Sequence, residues 1–355
     1  MKKENIKTNN IRAFVLFLII AFAIVLFSCK KGFVEYRNEN NKNRHIIIDT
    51  DTGADDSSAI ILAAKDKDID ILGVTTLVGN VELEQSAKNA LMSLELIGRN
   101  VPVYKGAKKN LDGEDKVGFS VFGNDGMGDK DLIHPNAKAE EKDAIEFIIE
   151  SAKKYPNELE IVALGPVTNI ALAIRKDKEV MKNVKMIWSM GTAGFGHGNA
   201  TPVAEFNVYS DALAYKEMLD SGIPITIVGF DVCGGDALWT NDDFDRLSEY
   251  NDIGRFVTYA HSVIREMYKD KLGMDSVENC DSLTMMCALY PDIIKEFKQC
   301  HASCIIDEGE TYGQVILYKQ ERIYPMMQDE FTYNVRLVTA VDGKKFFENY
   351  LRKIT

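Results

Sequence analysis

The chain has 355 residues, of which 46% are hydrophobic and 27% charged, a balance typical of a packed globular protein rather than a disordered or fibrous one. Its formal net charge is −12, and Lys and Arg do not cluster outside the N-terminal segment. Because such a surface would repel phosphate groups, the composition excludes a nucleic-acid backbone as partner and favours a neutral or cationic small molecule, although excess Asp and Glu also suit simple surface solvation.

The N-terminus has the features of a targeting segment. Basic residues precede the apolar run Ala13–Phe27, which is short for a spanning helix but suits the hydrophobic region of a signal peptide. The segment Leu26–Cys29 resembles a bacterial lipobox, which implies cleavage and lipidation at Cys29. Phe27 is bulkier than the usual residue at its position, so an uncleaved anchor is the alternative. We expect residues 1–28 to target the chain to a bacterial cell envelope, with the domain outside the cytoplasm and anchored to the membrane.

Residues 29–44 are polar and rich in Asn, as expected for a flexible tether. Residues 45–355 contain no linker-like stretch, so we assign them to one domain. Its cysteines are odd in number, which argues against a complete disulfide framework. The spacing of Cys300, His301 and Cys304 superficially suits a metal, but the segment has a strand pattern and no second ligand pair, so we interpret these cysteines as structural thiols.

Apolar periodicity predicts alternating strands and helices along this domain. In chain order, the predicted strands are 45–48, 69–76, 101–105, 159–164, 184–190, 223–230, 300–306, 313–318 and 331–339. The predicted helices are 54–64, 83–97, 140–153, 167–174, 211–219, 254–269 and one that follows Cys280 and Asp281. Residues 108–135 have no clear period and predict a long loop, which in a compact domain is commonly functional. The pattern predicts a single α/β domain with a mainly parallel central sheet flanked by helices, similar to a Rossmann fold.

The ligand site of an open α/β sheet lies beyond the carboxyl ends of its parallel strands. The predicted strands that end in chemically distinctive segments are those that end at Ile48, Thr76, Leu164, Met190 and Phe230. We therefore expect the loops after these five residues to converge on one site.

The turn after the first predicted strand carries four carboxylates, those of Asp49, Asp51, Asp55 and Asp56. Like charges this close raise each other's cost of ionisation unless a cation balances them. Oxygen ligands without His or Cys favour calcium or magnesium over zinc. Acids here would also stabilise the following helix by about 0.3–1 kcal/mol each, but one or two suffice for that purpose.

The segment Ile46–Asp56 resembles the pattern of the inosine–uridine nucleoside hydrolases, an apolar strand followed by Asp-x-Asp-Pro/Thr-Gly-x-Asp-Asp. Residues Asp49–Thr52 also fit the nucleophile motif of haloacid-dehalogenase-type phosphatases. Those phosphatases need no second acidic pair, whereas Asp55 and Asp56 are present here, which favours the nucleoside hydrolases. A lipoprotein that binds nucleosides without catalysis is a third alternative.

Further segments resemble the same family, in the family's order. They are Val78–Asn80 (a strand-end motif beside metal and ribose), Leu164–Asn169 (whose first residue gives a backbone carbonyl to calcium), Gly198–Asn207 (the ribose-binding segment) and Asp281 (the last metal ligand). Asn199, Glu205 and Asn207 offer enough donors and acceptors to bind several sugar hydroxyls.

The resemblance implies calcium-dependent cleavage of the N-glycosidic bond of ribonucleosides, through an oxocarbenium-like state. It implies that Ca²⁺ is held by Asp51, Asp56, Asp281 and the Leu164 carbonyl. We predict that Asp51 is the general base for the attacking water, with Asp49 in support. The predicted substrate-binding residues are Asp55, Asn80, Met190, Asn199, Glu205, Phe206 and Asn207. The resemblance also implies a homo-oligomer.

The chain departs from the family at two positions that often carry a histidine near the leaving base, because Phe122 and Cys280 stand there. A thiol is a poor substitute as a proton donor. His197, two residues before Asn199, is the candidate for the acid that protonates the base; the alternative is a solvated surface histidine.

We predict that Cys29 is lipidated. A labelled fatty acid should be incorporated into the expressed protein, and Cys29→Ser should abolish the label, measured by radiography of the purified protein. Cys233→Ser is the control and should keep the label. Undiminished labelling of Cys29→Ser would contradict the prediction, and a product that still carries Met1 would indicate an uncleaved anchor.

Overall fold

The computed structural model describes residues 44–111, 118, 120–318 and 332–354. The predicted targeting segment, Cys29 and the tether up to residue 43 lie outside the described residues. Arg44, which we placed last in the tether, is the first residue of the first strand. Within the described part of the chain, no helix combines the length and apolarity needed to cross a bilayer.

The strands alternate with helices along the chain, as predicted. They are β1 (Arg44–Thr50), β2 (Ile69–Thr76), β3 (Val103–Lys105), β4 (Leu159–Ala163), β5 (Met186–Met190), β6 (Ile225–Val228), β7 (Trp239–Thr240), β8 (Ser276–Val277), β9 (Ile294–Cys304), β10 (Val315–Tyr318) and β11 (Val335–Val341). Among the described residues, nine strands form one sheet in the order β10-β9-β11-β6-β5-β4-β1-β2-β3, while β7 pairs with β8. Only β9 runs antiparallel to its neighbours in that sheet, so the predicted, mainly parallel sheet is confirmed.

Helices cover both faces of the sheet. They are α1 (Ala54–Lys65), α2 (Leu83–Ile97), α3 (Ala144–Lys154), α4 (Thr168–Lys176), α5 (Lys178–Met181), α6 (Phe206–Ser210), α7 (Ala212–Leu219), α8 (Asn241–Tyr250), α9 (Asp252–Ala260), α10 (Ser262–Met267), α11 (Cys280–Leu289) and α12 (Gly343–Ile354). Ile47 of β1 packs into the core formed with α3, α4 and α7. Because side chains alternate along a strand, Ile46 and Ile48 face the opposite layer, and all three are fully buried. Burial on both faces explains the unbroken apolar run of β1.

Several predicted elements differ from the observed ones in length or number. β2 and α2 have the predicted bounds, but the single helix predicted over 254–269 is wrong. That stretch is divided at His261 into α9 and α10, and a π-helical turn over Tyr268–Leu272 follows. The sequence pattern also failed to predict α8 and α12. Cys300 and Cys304 lie buried on β9. The other described cysteines are also buried, and none of the described cysteines forms a disulfide, which agrees with their interpretation as structural thiols.

A buried ion pair joins β1 to β4. Arg44 Nη2 lies 2.6 Å from Glu160 Oε2, and the two side chains are 6% and 0% exposed. The indole N–H of Trp188 donates to the same carboxylate oxygen at 3.0 Å. Burial alone would raise the pKa of Glu160, but the charge of Arg44 lowers this pKa below its usual range. The charge pair thus fixes neighbouring strands at the edge opposite the predicted site.

We predict that Glu160→Ala lowers the free energy of unfolding by about 3–5 kcal/mol, because it removes the buried carboxylate that pairs with the buried Arg44 guanidinium. Urea denaturation followed by circular dichroism measures the loss. Glu150→Ala is the control, because Glu150 pairs with Lys142 on the surface and such pairs contribute about 0–1 kcal/mol. Equal losses in the two variants would contradict the structural role of Glu160.

Candidate active site

A cavity of about 540 Å³ lies beyond the carboxyl ends of β1, β2, β4, β5 and β6. The loops predicted to converge do so, because the end of each of these strands or the loop after it contributes to the wall of the cavity. The predicted site residues that line the cavity are Asp55, Asn80, Leu164, Met190, His197, Asn199, Glu205, Phe206, Asn207 and Asp281. Asp51 and Asp56 are fully buried beside it.

Three carboxylates form a cluster at the floor of the cavity. Oxygen atoms of Asp55, Asp56 and Asp281 all lie within 4.8 Å of one another, close enough to share one cation. Burial, followed by the charges of Asp55 and Asp56, raises the pKa of Asp281 well above its usual range. The cluster includes Asp55, which we had predicted as a ligand of substrate hydroxyls. An oxygen-only donor set of this kind suits a hard divalent cation.

Asp51 is held in one orientation beside this cluster. Its Oδ2 accepts a hydrogen bond from the backbone N–H of Asn80 at 2.5 Å. Its Oδ1 is buried and has no partner among the described residues. A Cβ atom at Gly79 or Gly165 would lie 2.0 or 2.4 Å from an Asp51 oxygen, so both positions require glycine for the carboxylate to fit. Burial, followed by the charge of Asp56, raises the pKa of Asp51 well above its usual range.

Asp56 is the most thoroughly hydrogen-bonded acid of the group. The Thr50 hydroxyl donates to its Oδ1 at 2.6 Å. The Gly53 N–H and the Asn80 side-chain amide donate to Oδ2 at 2.9 and 3.1 Å. Asn80 therefore fixes Asp51 through its backbone and Asp56 through its side chain.

Asp49 lies in a separate network and does not line the cavity. Its Oδ1 accepts from the Thr75 hydroxyl at 2.5 Å and from the Asn169 amide at 2.8 Å. Burial raises the pKa of Asp49 to about 7, against the effect of these two hydrogen bonds. The described contacts of Asp49 thus link β1 to β2 and α4, without a hydrogen bond to Asp51.

The predicted ribose-binding segment continues into a short helix. Glu205 caps α6 by accepting from the N–H groups of Asn207 and Val208, and burial raises its pKa to about 7. The Asn207 amide donates to the Leu164 carbonyl at 2.6 Å. Asn199 Oδ1 accepts from the Phe206 N–H at 2.8 Å. These contacts orient the polar groups toward one side of the cavity, next to the acidic floor.

The two positions where the chain departs from the family pattern both contribute to the cavity wall. The neighbouring thiol of Cys233, together with burial, raises the pKa of Cys280 well above its usual range, so Cys280 remains a neutral thiol. Phe122 offers an aromatic ring without a proton to donate. His197 lines the rim, is exposed, and its ring centroid lies 6.2 Å from that of Phe230.

The sequence pattern did not predict one wall of the cavity. It consists of Ile264, Met267, Tyr268, Leu272, Met274 and Glu278, from α10, the π-helical turn and the segment before α11. The helix predicted over 254–269 includes the first three of these residues, and no predicted element includes the last three. The Gly273 that ends the turn, at φ +66°, is the sequence signal that could have indicated the break.

An α/β fold whose cavity combines a carboxylate cluster that could hold a cation, polar side chains and apolar side chains is typical of an enzyme. The model of the inosine-uridine preferring nucleoside hydrolase family matches residues 46–348. The chain therefore belongs to this family of enzymes and is an N-glycosidase, which decides against the phosphatase alternative.

Individual relatives agree with this assignment. Uridine nucleosidase 1 of Arabidopsis thaliana is 43% identical over 193 residues, which cover 54% of this chain and 57% of that relative's length. Probable uridine nucleosidase 2 of the same plant is 34% identical over 281 residues, which cover 78% of this chain and 86% of its own. The structure of a plant nucleoside hydrolase superposes with a TM-score of 0.82 at 28% identity, over 88% of this chain and 99% of that one.

Proposed function

We propose that this protein is a calcium-dependent hydrolase that cleaves ribonucleosides to free base and ribose. The observation that supports the proposal best is the carboxylate cluster at the cavity floor, with a buried Asp51 oxygen beside it that has no partner among the described residues. Such an arrangement supplies a cation site and a base at one place.

The donor set fits calcium, since it consists of carboxylate and carbonyl oxygens. Asp51, Asp56, Asp281 and the Leu164 carbonyl would hold the ion, and Asp55 lies close enough to join them. A second buried oxygen, Asp55 Oδ1, also has no partner among the described residues. When bound, the cation acidifies a water molecule and orients ribose hydroxyls.

Asp51 is the general base in this proposal. Its Oδ1 is free to accept the proton of the attacking water, because only Oδ2 is engaged by the Asn80 N–H. A cation among the acids would counter the rise in the pKa of Asp51 and keep the carboxylate ionised at neutral pH. Asp49 would act in support by fixing the strand end through Thr75 and Asn169.

The remaining polar groups would hold the ribose. Asp55, Asn80, Asn199, Glu205 and Asn207 would bind its hydroxyls, while Met190 and Phe206 would pack against the nucleoside. Positive charge develops on the ribosyl group as the base leaves, and buried carboxylates stabilise that charge. His197 at the rim is our candidate for the acid that protonates the base.

The place and assembly of the enzyme are part of the proposal. We propose an extracytoplasmic enzyme that is anchored to the membrane by lipid or by an uncleaved segment. The lipobox-like segment that ends at Cys29 supports this location. Family membership supports a homo-oligomer.

We predict that the purified full-length protein, in detergent, releases free base from at least one of inosine, adenosine, guanosine, uridine and cytidine. A calcium-selective chelator should abolish the release, and added Ca²⁺ should restore it, because the acids cannot otherwise be ionised together. Chromatography of the base measures the reaction. Phosphate release from a phosphomonoester, with no base released from any nucleoside, would contradict the proposal.

We predict that Asp51→Asn lowers kcat by at least about 10²–10⁴-fold, because the amide keeps the shape of the side chain but cannot take a proton. Binding of a non-hydrolysable ribonucleoside analogue, measured by calorimetry, should persist. Asp220→Asn is the control, since Asp220 pairs with Lys216 on the surface. Loss of binding in proportion to turnover would make Asp51 chiefly a metal ligand.

A further inference from the structure

A single carboxylate interrupts the apolar wall of the cavity. Glu278 lines the cavity together with Ile264, Met267 and Met274, and is not one of the three carboxylates of the cation cluster at the floor. Its Oε2 atom is buried and has no partner among the described residues. A buried carboxylate oxygen without a donor is costly, and a ligand that supplies one recovers that cost on binding.

Tyr268, on the π-helical turn, lines the cavity next to this carboxylate. Burial, and after it the neighbouring Glu278 charge, raises the pKa of the Tyr268 phenol, so the hydroxyl keeps its proton and can donate to that carboxylate. Tyr268 belongs to the π-helical turn that follows α10, and Glu278 lies between β8 and α11. The Oε2 atom of Glu278, which has no partner among the described residues, can accept a donor from the contents of the cavity.

We propose that Glu278 is a specificity-determining residue that reads the nucleobase by accepting a hydrogen bond from a ring N–H, with Tyr268 as its positioning residue. The inference rests on the proposed function, since it concerns the base of a bound ribonucleoside. A carboxylate can only accept hydrogen bonds. Uracil carries a ring N–H flanked by two carbonyls, and hypoxanthine and guanine carry one beside a carbonyl. Cytosine and adenine present a lone pair at the corresponding ring nitrogen, which repels the carboxylate.

The test compares kcat/KM for uridine with cytidine, and for inosine with adenosine, in Ca²⁺-loaded full-length protein and in Glu278→Gln. An amide can donate as well as accept, so it does not exclude a ring lone pair. We expect Glu278→Gln to reduce both preference ratios by about 10-fold or more, the effect of one hydrogen bond to a charged group. Tyr268→Phe should reduce the same ratios by a smaller factor, because the carboxylate stays but loses its positioning donor.

Two controls separate base recognition from damage to the site. Glu266→Gln removes an exposed carboxylate of α10 and should keep the preference ratios of the unaltered protein. p-Nitrophenyl riboside has no ring N–H for Glu278 to bind. The fold-loss of activity in Glu278→Gln should therefore be at least about 10-fold smaller with this substrate than with uridine.

The outcomes are distinct. If the unaltered protein releases no base from any nucleoside, the proposed function itself fails. If it releases base but Glu278→Gln keeps both ratios, or loses activity equally with p-nitrophenyl riboside, only the role of Glu278 is overturned. The inference is supported if Glu278→Gln lowers both preference ratios while its activity toward p-nitrophenyl riboside is largely retained.

Discussion

The charge of a few buried carboxylates is the constraint on which the rest of the site depends. Asp51 and Asp56 are fully buried and Asp281 is 3% exposed, so their mutual repulsion acts through a medium far less polarisable than water. Burial raises the pKa of each of the three. Hydrogen bonds from Thr50, Gly53 and Asn80 offset part of this rise. The acids can therefore be ionised together at neutral pH only when a cation balances them.

This constraint divides the cavity into two chemically different ends. The acidic floor attracts a cation and hydroxyl groups, whereas the wall from Ile264 to Met274 offers apolar side chains to a ring. A ribonucleoside has the same division, with a polar sugar joined to a flat base. In the proposed function, the glycosidic bond would lie at the junction of the two ends, where Asp51 would direct water to the anomeric carbon and the wall would hold the base.

The parts of the structure that depend on local sequence were predicted best. β2 and α2 have the predicted bounds because their periodicity and the Gly98 after α2 are local signals. The acids of the first turn were found for the same reason. The division of residues 254–269 was not predictable, since the apolar residues of α9 and α10 keep helical spacing across His261, and tertiary packing sets the break. Tyr268 and Glu278 reach the wall from the π-helical turn and from the segment before α11, and tertiary packing brings these two segments to one cavity.

The substitutions at Phe122 and Cys280 separate two tasks that one histidine can combine, recognition of the base and its protonation. Phe122 and the neutral Cys280 thiol can pack against a base but donate poorly. Glu278 as a carboxylate can recognise a ring N–H but has no proton to give. In the proposed function, departure of the base would therefore rely on His197 at the rim or on stabilisation of the ribosyl cation by the acidic floor. The second route needs no proton donor beside the base, but it requires a good leaving group. A base that stabilises negative charge well leaves with the least need for protonation. Uracil and hypoxanthine, whose carbonyls delocalise that charge, satisfy this demand better than cytosine and adenine, so the ring N–H that Glu278 would read belongs to the bases that depart most readily.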